Sequence, residues 1–197
     1  MTTFKNIILD TRTFEALYHM THIKNLTSIL NHGLLGHGNS HQVKDISDNQ
    51  VNNRRSRVEP IYGKAIHSYV PFYFNPKNAM LYRRKDKQKK IVILVFNKSL
   101  VLDNGAVFTD GNAASAGTSF YNNIKDLNKL NWSCLNDRSW CNHVDGKRTR
   151  MAEVLVPNHV GIDRLEKIVC NSHKTYQKLK AICSDRVTIE LNHSFYF

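Results

Sequence analysis

Acidic side chains are scarce in this chain. Its 197 residues carry 16 Asp plus Glu against 28 Lys plus Arg, a net charge of +12. A surface so one-sided points to a polyanionic partner, nucleic acid first and an acidic membrane surface second. Cysteine is equally sparse: Cys134, Cys141, Cys170 and Cys183 follow neither a CxxC nor a zinc-finger spacing, which leaves idle thiols in a reducing compartment and no metal centre as the expectation. Nothing approaches the roughly 20 apolar residues of a membrane helix. The start, Met1-Thr2-Thr3-Phe4-Lys5, lacks the layout of a secretory leader. No internal repeat, low-complexity tract or linker divides the chain, so one domain over residues 1–197 is expected.

Against that background one segment stands out. Met151 to Val156, closed by Pro157, has the composition of a strand. Alternation puts Met151, Glu153 and Leu155 on one face and Ala152, Val154 and Val156 on the other. A carboxylate flanked by large apolar neighbours is costly unless a charge or hydrogen-bond donor meets it. An edge strand with Glu153 in water would account for it, as would pairing with Arg148 or Arg150, and so would a functional carboxylate.

The rest of the chain reads as alternating short elements. Leu17 to Thr21 is β-compatible, and Ile23, Leu26, Ile29 and Leu30 recur at helical spacing, with Thr21 placed to cap and Gly33 to end the helix. His19 and Thr21 therefore fall at a strand-to-helix junction, where free backbone N–H groups suit a phosphate or an amide-bearing ligand. Residues 36–66 have no period and include Arg54-Arg55-Ser56-Arg57, as expected of a functional loop or of a solvated charge run. Val70 to Phe74 reads as an aromatic strand, with Asn75 capping and Pro76 opening a short helix. Arg83 to Lys90 is a basic turn before the core strand Ile91–Phe96. A short strand follows at Ala106–Thr109, then an amphipathic helix over Ser119–Leu130 and an irregular segment from Trp132 to Asp145. The chain closes with a strand near Leu165–Cys170, a helix from about Ser172 and a strand at Val187–Leu191. The class is α+β.

Tyr18-His19-Met20-Thr21-His22-Ile23-Lys24-Asn25-Leu26, Gly33-Leu34-Leu35, the block Tyr69 to Pro76 with Met80-Leu81-Tyr82, and Ala152-Glu153-Val154-Leu155-Val156 occur in this order. Together they resemble the DarT family, bacterial toxin DNA ADP-ribosyltransferases partnered with a DarG macrodomain antitoxin. The resemblance implies an ADP-ribosyltransferase-like fold, two small twisted sheets around an NAD cleft with flanking helices. It implies Glu153 as the catalytic glutamate, assisted by Arg55 or Arg54. His19 and Thr21 would hold the nicotinamide ribose or its amide, with His22, Asn25 and Gly33 on the same cofactor side and Tyr73 and Phe74 stacking near the nicotinamide.

The implied reaction is transfer of ADP-ribose from NAD to a base of single-stranded DNA, thymine before guanine, by a monomer in the bacterial cytoplasm. The basic stretches 54–57 and 83–90, with Trp132, Trp140 and Tyr121, would serve backbone contacts and base stacking. A non-catalytic single-strand-binding module and a transferase acting on RNA or protein are the competing readings.

Overall fold

The computed structural model describes residues 14–36 and 55–197. In chain order the strands are β1 (Ala16–His22), β2 (Leu34–Leu35), β3 (Tyr69–Tyr73), β4 (Ile91–Asn97), β5 (Val107–Thr109), β6 (Phe120–Tyr121), β7 (Glu153–Pro157), β8 (His159–Val160), β9 (Leu165–Cys170) and β10 (Thr188–Leu191). The α-helices are α1 (Leu26–His32), α2 (Ala79–Arg83), α3 (Trp132–Asn136), α4 (Gly146–Thr149) and α5 (His173–Cys183). Eight strands join in the order β10-β9-β4-β1-β3-β7-β5-β6, and β2 and β8 form a separate pair. All pairings in the large sheet are antiparallel except β9 with β10, which are parallel.

The large sheet is nearly two sheets. β1 pairs with β4 along all seven of its residues, whereas its only register pair with β3 is Tyr18 opposite Tyr73. β3 in turn pairs with β7 over five positions. Two four-stranded halves, β10-β9-β4-β1 and β3-β7-β5-β6, thus join through that pair into one large sheet, beside the small β2–β8 sheet, in place of the two small sheets expected.

Six consecutive apolar residues suit β4 because both of its faces are covered. Val92, Leu94 and Phe96 pack with Leu26, Leu30 and Leu179 under α1 and α5. Ile91, Ile93 and Val95 pack with Leu81 of α2 and Tyr196 on the other face. Ser172 caps α5 by accepting from the Thr175 N–H. Among the described residues no helix is long and apolar enough to cross a membrane.

Local chemistry departs from the sequence expectations at a few places. Thr21 stays in β1; His22 instead caps a 3-10 turn, its Nδ1 accepting from the Lys24 N–H, before α1 begins. α1 does end at Gly33, whose φ of 72° and close approach to the Val160 carbonyl leave no room for a Cβ. Asn75 accepts from the Lys77 N–H in a turn, and the cap of α2 is Asn78, which accepts from Met80 and Leu81. Lys85–Lys90 winds into a 3-10 helix. The helix expected over Ser119–Leu130 does not form. Phe120 and Tyr121 pair with β5, and Asn123 opens a 3-10 turn over Ile124–Lys129 by accepting from the Lys125 N–H. Asn123 thus favours a local side-chain bond over helix propagation. The irregular segment after Leu130 holds α3 and a 3-10 turn at Trp140–Asn142.

Candidate active site

Glu153 opens β7, an interior strand between β3 and β5, and is fully buried. Neither an edge strand in water nor pairing with a neighbouring arginine therefore explains it. Arg148 engages Asp110 at 2.8 Å and also Asp145, while Arg150 donates to the carbonyls of Lys77 and Asp137. The partner of Glu153 is remote in sequence. Arg55 Nη1 donates to its two carboxylate oxygens at 3.2 and 3.0 Å.

Two backbone features complete the setting. The Ala113 N–H donates to Glu153 Oε1 at 2.9 Å. Thr109, at the end of β5, accepts from the Glu153 N–H at 3.1 Å, so a side chain continues the ladder where the strand stops. Ala113 sits on the loop between β5 and β6, which Arg148 holds: the guanidinium binds Asp110 and Thr118, and the Asn112 N–H donates to the Arg148 carbonyl. Sequence reasoning missed both Ala113 and Thr109. A backbone donor leaves no side-chain signature.

Tyr73 lies directly opposite Glu153 in the β3–β7 register. Burial, and then the nearby carboxylate of Glu153, push its hydroxyl well above the ordinary tyrosine range. His19 lies across the split, its Nδ1 2.9 Å from the Pro71 carbonyl. A carbonyl only accepts, so Nδ1 carries the hydrogen and Nε2 presents a lone pair. Burial lowers the His19 pKa to about 4, the bond to Pro71 offsetting only part of that, and the ring is neutral at pH 7.

The remaining predicted positions divide. Thr21 accepts from Asn25 Nδ2 at 3.0 Å, tying the end of β1 to the start of α1, and both residues are buried. His22 and Gly33 bracket the same helix. Phe74 points away from Tyr73 into the main core, edge-on to Phe14 and Trp132. Trp132 is bonded to the Leu127 carbonyl and stacked on Phe14, whereas Trp140 belongs to a separate cluster near the surface. Arg54 lies outside the described residues, as does much of the 36–66 loop. Among the described residues no group of His, Cys, Asp or Glu is arranged to hold a metal. Cys134, Cys170 and Cys183 are buried free thiols, with their pKa values raised by burial.

Comparison with known proteins fits this geometry. The family model described as DarT, ssDNA thymidine ADP-ribosyltransferase, matches residues 18–197. A DNA ADP-ribosyl transferase–DNA ADP-ribosyl glycohydrolase fusion protein of Thermosipho africanus is 31% identical over 193 residues, covering 93% of this chain and 50% of the fusion. The chain thus spans about half the length of that relative. The structure of Thermus sp. 2.9 DarT in complex with ADP-ribosylated ssDNA superposes with a TM-score of 0.85 at 27% identity, covering 93% of this chain and 96% of the other. The same Thermus protein in complex with NAD+ gives a TM-score of 0.81 at 27% identity, with 93% and 98% covered.

Proposed function

We propose, since the chain belongs to the DarT family of single-stranded-DNA thymidine ADP-ribosyltransferases, that it transfers ADP-ribose from NAD+ to thymine in single-stranded DNA. Nicotinamide leaves with the electron pair of its glycosidic bond, a ring nitrogen of the base bonds to the ribose carbon, and the proton of that nitrogen passes to a base.

One observation carries this reading: a fully buried carboxylate, Glu153, is fixed by the Ala113 N–H and faced by the Arg55 guanidinium. Loss of nicotinamide makes the ribose oxocarbenium-like, as in glycoside hydrolysis. A carboxylate already oriented beside that carbon stabilises the developing charge without reorganising, and does so more in the transition state than in the ground state.

The other roles follow from position and chemistry. Arg55 Nη2 is buried and has no hydrogen-bond partner among the described residues, so it has a donor to offer a diphosphate oxygen or the reacting ribose. Neutral His19 offers the Nε2 lone pair to a ribose hydroxyl or the nicotinamide amide. Thr21, His22, Asn25 and Gly33 shape the β1–α1 junction on the cofactor side. Tyr73 keeps its hydroxyl proton beside Glu153 and offers a ring face to the nicotinamide. Phe74 packs on the opposite side of the strand, against Phe14 and Trp132 in the main core. Arg54 adjoins Arg55 in sequence and shares its assignment to the reacting centre.

The same reading takes residues 1–197 as one ADP-ribosyltransferase-like domain that acts as a monomer in the bacterial cytoplasm. The glycohydrolase half of the Thermosipho fusion supports a DarG-type macrodomain antitoxin as the partner that would reverse the modification.

The test is mass spectrometry of a thymine-containing single strand incubated with the protein and NAD+. The expected result is one added ADP-ribose with equimolar nicotinamide, and no product on the same sequence as a duplex, because the target base must leave the stack. Nicotinamide release without a DNA adduct would refute the acceptor assignment.

A further inference from the structure

Three aromatic rings outside the Glu153 site form a group that the proposed chemistry does not use. Tyr82 of α2, Trp140 and Phe197 meet pairwise edge to face, with centroids 5.2 to 5.8 Å apart. Tyr82 and Phe197 are 46% and 45% exposed, unusual for large rings with a core at hand. Each ring is met by a cation. Lys85 lies 5.1 Å from the Tyr82 centroid, Lys77 5.2 Å from Phe197, and Arg150 5.9 Å from Trp140.

The group is tied to the proposed catalytic strand. Arg150, three residues before Glu153, is buried and donates to the Lys77 and Asp137 carbonyls, so one guanidinium braces the segments that carry Lys77 and Trp140. α2 also carries Met80, whose sulfur accepts from the Tyr73 hydroxyl at 3.8 Å. The platform and the site are therefore neighbours through shared elements.

We infer that Tyr82, Trp140 and Phe197 form a stacking platform for a nucleotide flanking the target base in single-stranded DNA, with Lys77 and Lys85 moving from the ring faces to the adjoining phosphates. Exposed rings interleaved with cations are the chemistry of single-strand recognition: π faces take any base, and ammonium groups take the backbone. The chain's charge of +12 favours this polyanion over an apolar partner. The inference rests on the proposed activity and adds a subsite to it.

The test uses the whole protein with oligonucleotides that carry one thymine and either ordinary or abasic flanks, which keep the phosphates and remove the stacking faces. Tyr82→Leu and Phe197→Leu retain apolar bulk without a π face, and melting temperature monitors their fold. The expected result is a several-fold higher KM than wild type on ordinary flanks with unchanged kcat, and no difference on abasic flanks. Equal KM for variants and wild type on both substrates would overturn the platform.

Trp140 fluorescence, identified against Trp140→Phe, reads the platform without turnover. Quenching by base-bearing but not abasic strands supports it even if no DNA is modified, in which case the activity alone fails. Equal quenching by polyglutamate would overturn the nucleobase assignment in favour of an acidic protein.

Discussion

Arg55 Nη1 lies 3.0 Å from Glu153 Oε2, an ion pair closed across 98 residues of sequence, with side-chain exposures of only 11% and 0%. Charges this well buried are stabilising only while each has its partner. Arg55→Ala leaves the carboxylate, among the described residues, with the Ala113 N–H, and should cost about 3 kcal/mol of stability. Adding Glu153→Gln should restore part of the loss, because the orphaned charge is then gone. Denaturant unfolding of both single variants and the double variant checks the sign. Additive losses would show that the pair is not coupled.

Glu153→Gln keeps the shape of the side chain and removes its charge. A fall in kcat of about 10²–10³-fold is expected, the usual size for one preorganised electrostatic contact. Circular dichroism should remain that of the wild type, and NAD+ affinity should change little. Near-normal turnover in the folded variant would remove Glu153 from the reaction.

The loop that carries Ala113 depends on Arg148. A Cβ on Gly111 would sit 2.9 Å from the Arg148 Cγ, so Gly111→Ala pushes that side chain away from Asp110. The expected result is a roughly tenfold lower kcat with NAD+ binding retained, because a donor to the Glu153 carboxylate is worth about 1–2 kcal/mol. Single-turnover kinetics and calorimetry separate the two effects.

His19 makes stability depend on acid. Its pKa falls from an ordinary 6.5 to about 4 in the folded chain, chiefly through burial. The unfolded chain thus takes up this proton first as pH falls. The contribution is fully present above pH 6.5, declines as pH falls from there, and is gone below about 4. Thermal melts of wild type and His19→Gln from pH 4 to 7.5 should diverge in that window, with the wild type the more pH-sensitive. Parallel curves would contradict the assignment.

DNA binding should weaken steeply with salt, because lysines and arginines release condensed counterions on contact with phosphates. Fluorescence anisotropy of a labelled single strand across a salt series measures the slope. A flat response would dissociate the basic segments from binding.

Much of this was legible in residue order. The period-2 pattern of Met151 to Val156 assigned the Glu153 face correctly, with Ala152, Val154 and Val156 all in the main core. β4 followed from its continuous apolar run, and β9 and α5 lie where a strand near Leu165–Cys170 and a helix from about Ser172 were expected. What failed was local competition: Asn78 capped where Asn75 was expected, and Asn123 broke the helix expected over 119–130. What was invisible was long-range. Glu153 has two arginines close by in sequence, and the one that meets it comes from a stretch with no period. The Ala113 N–H, being backbone, has no residue type to announce it.

Transfer of ADP-ribose to thymine is measured with NAD+ and four single-stranded oligonucleotides, each lacking one of the four bases, scored for a shifted product. Only the thymine-free strand should remain unmodified. If only the guanine-free strand does, the base assignment is wrong while the transfer chemistry stands; if no strand shifts and NAD+ is left intact, the enzyme reading is contradicted.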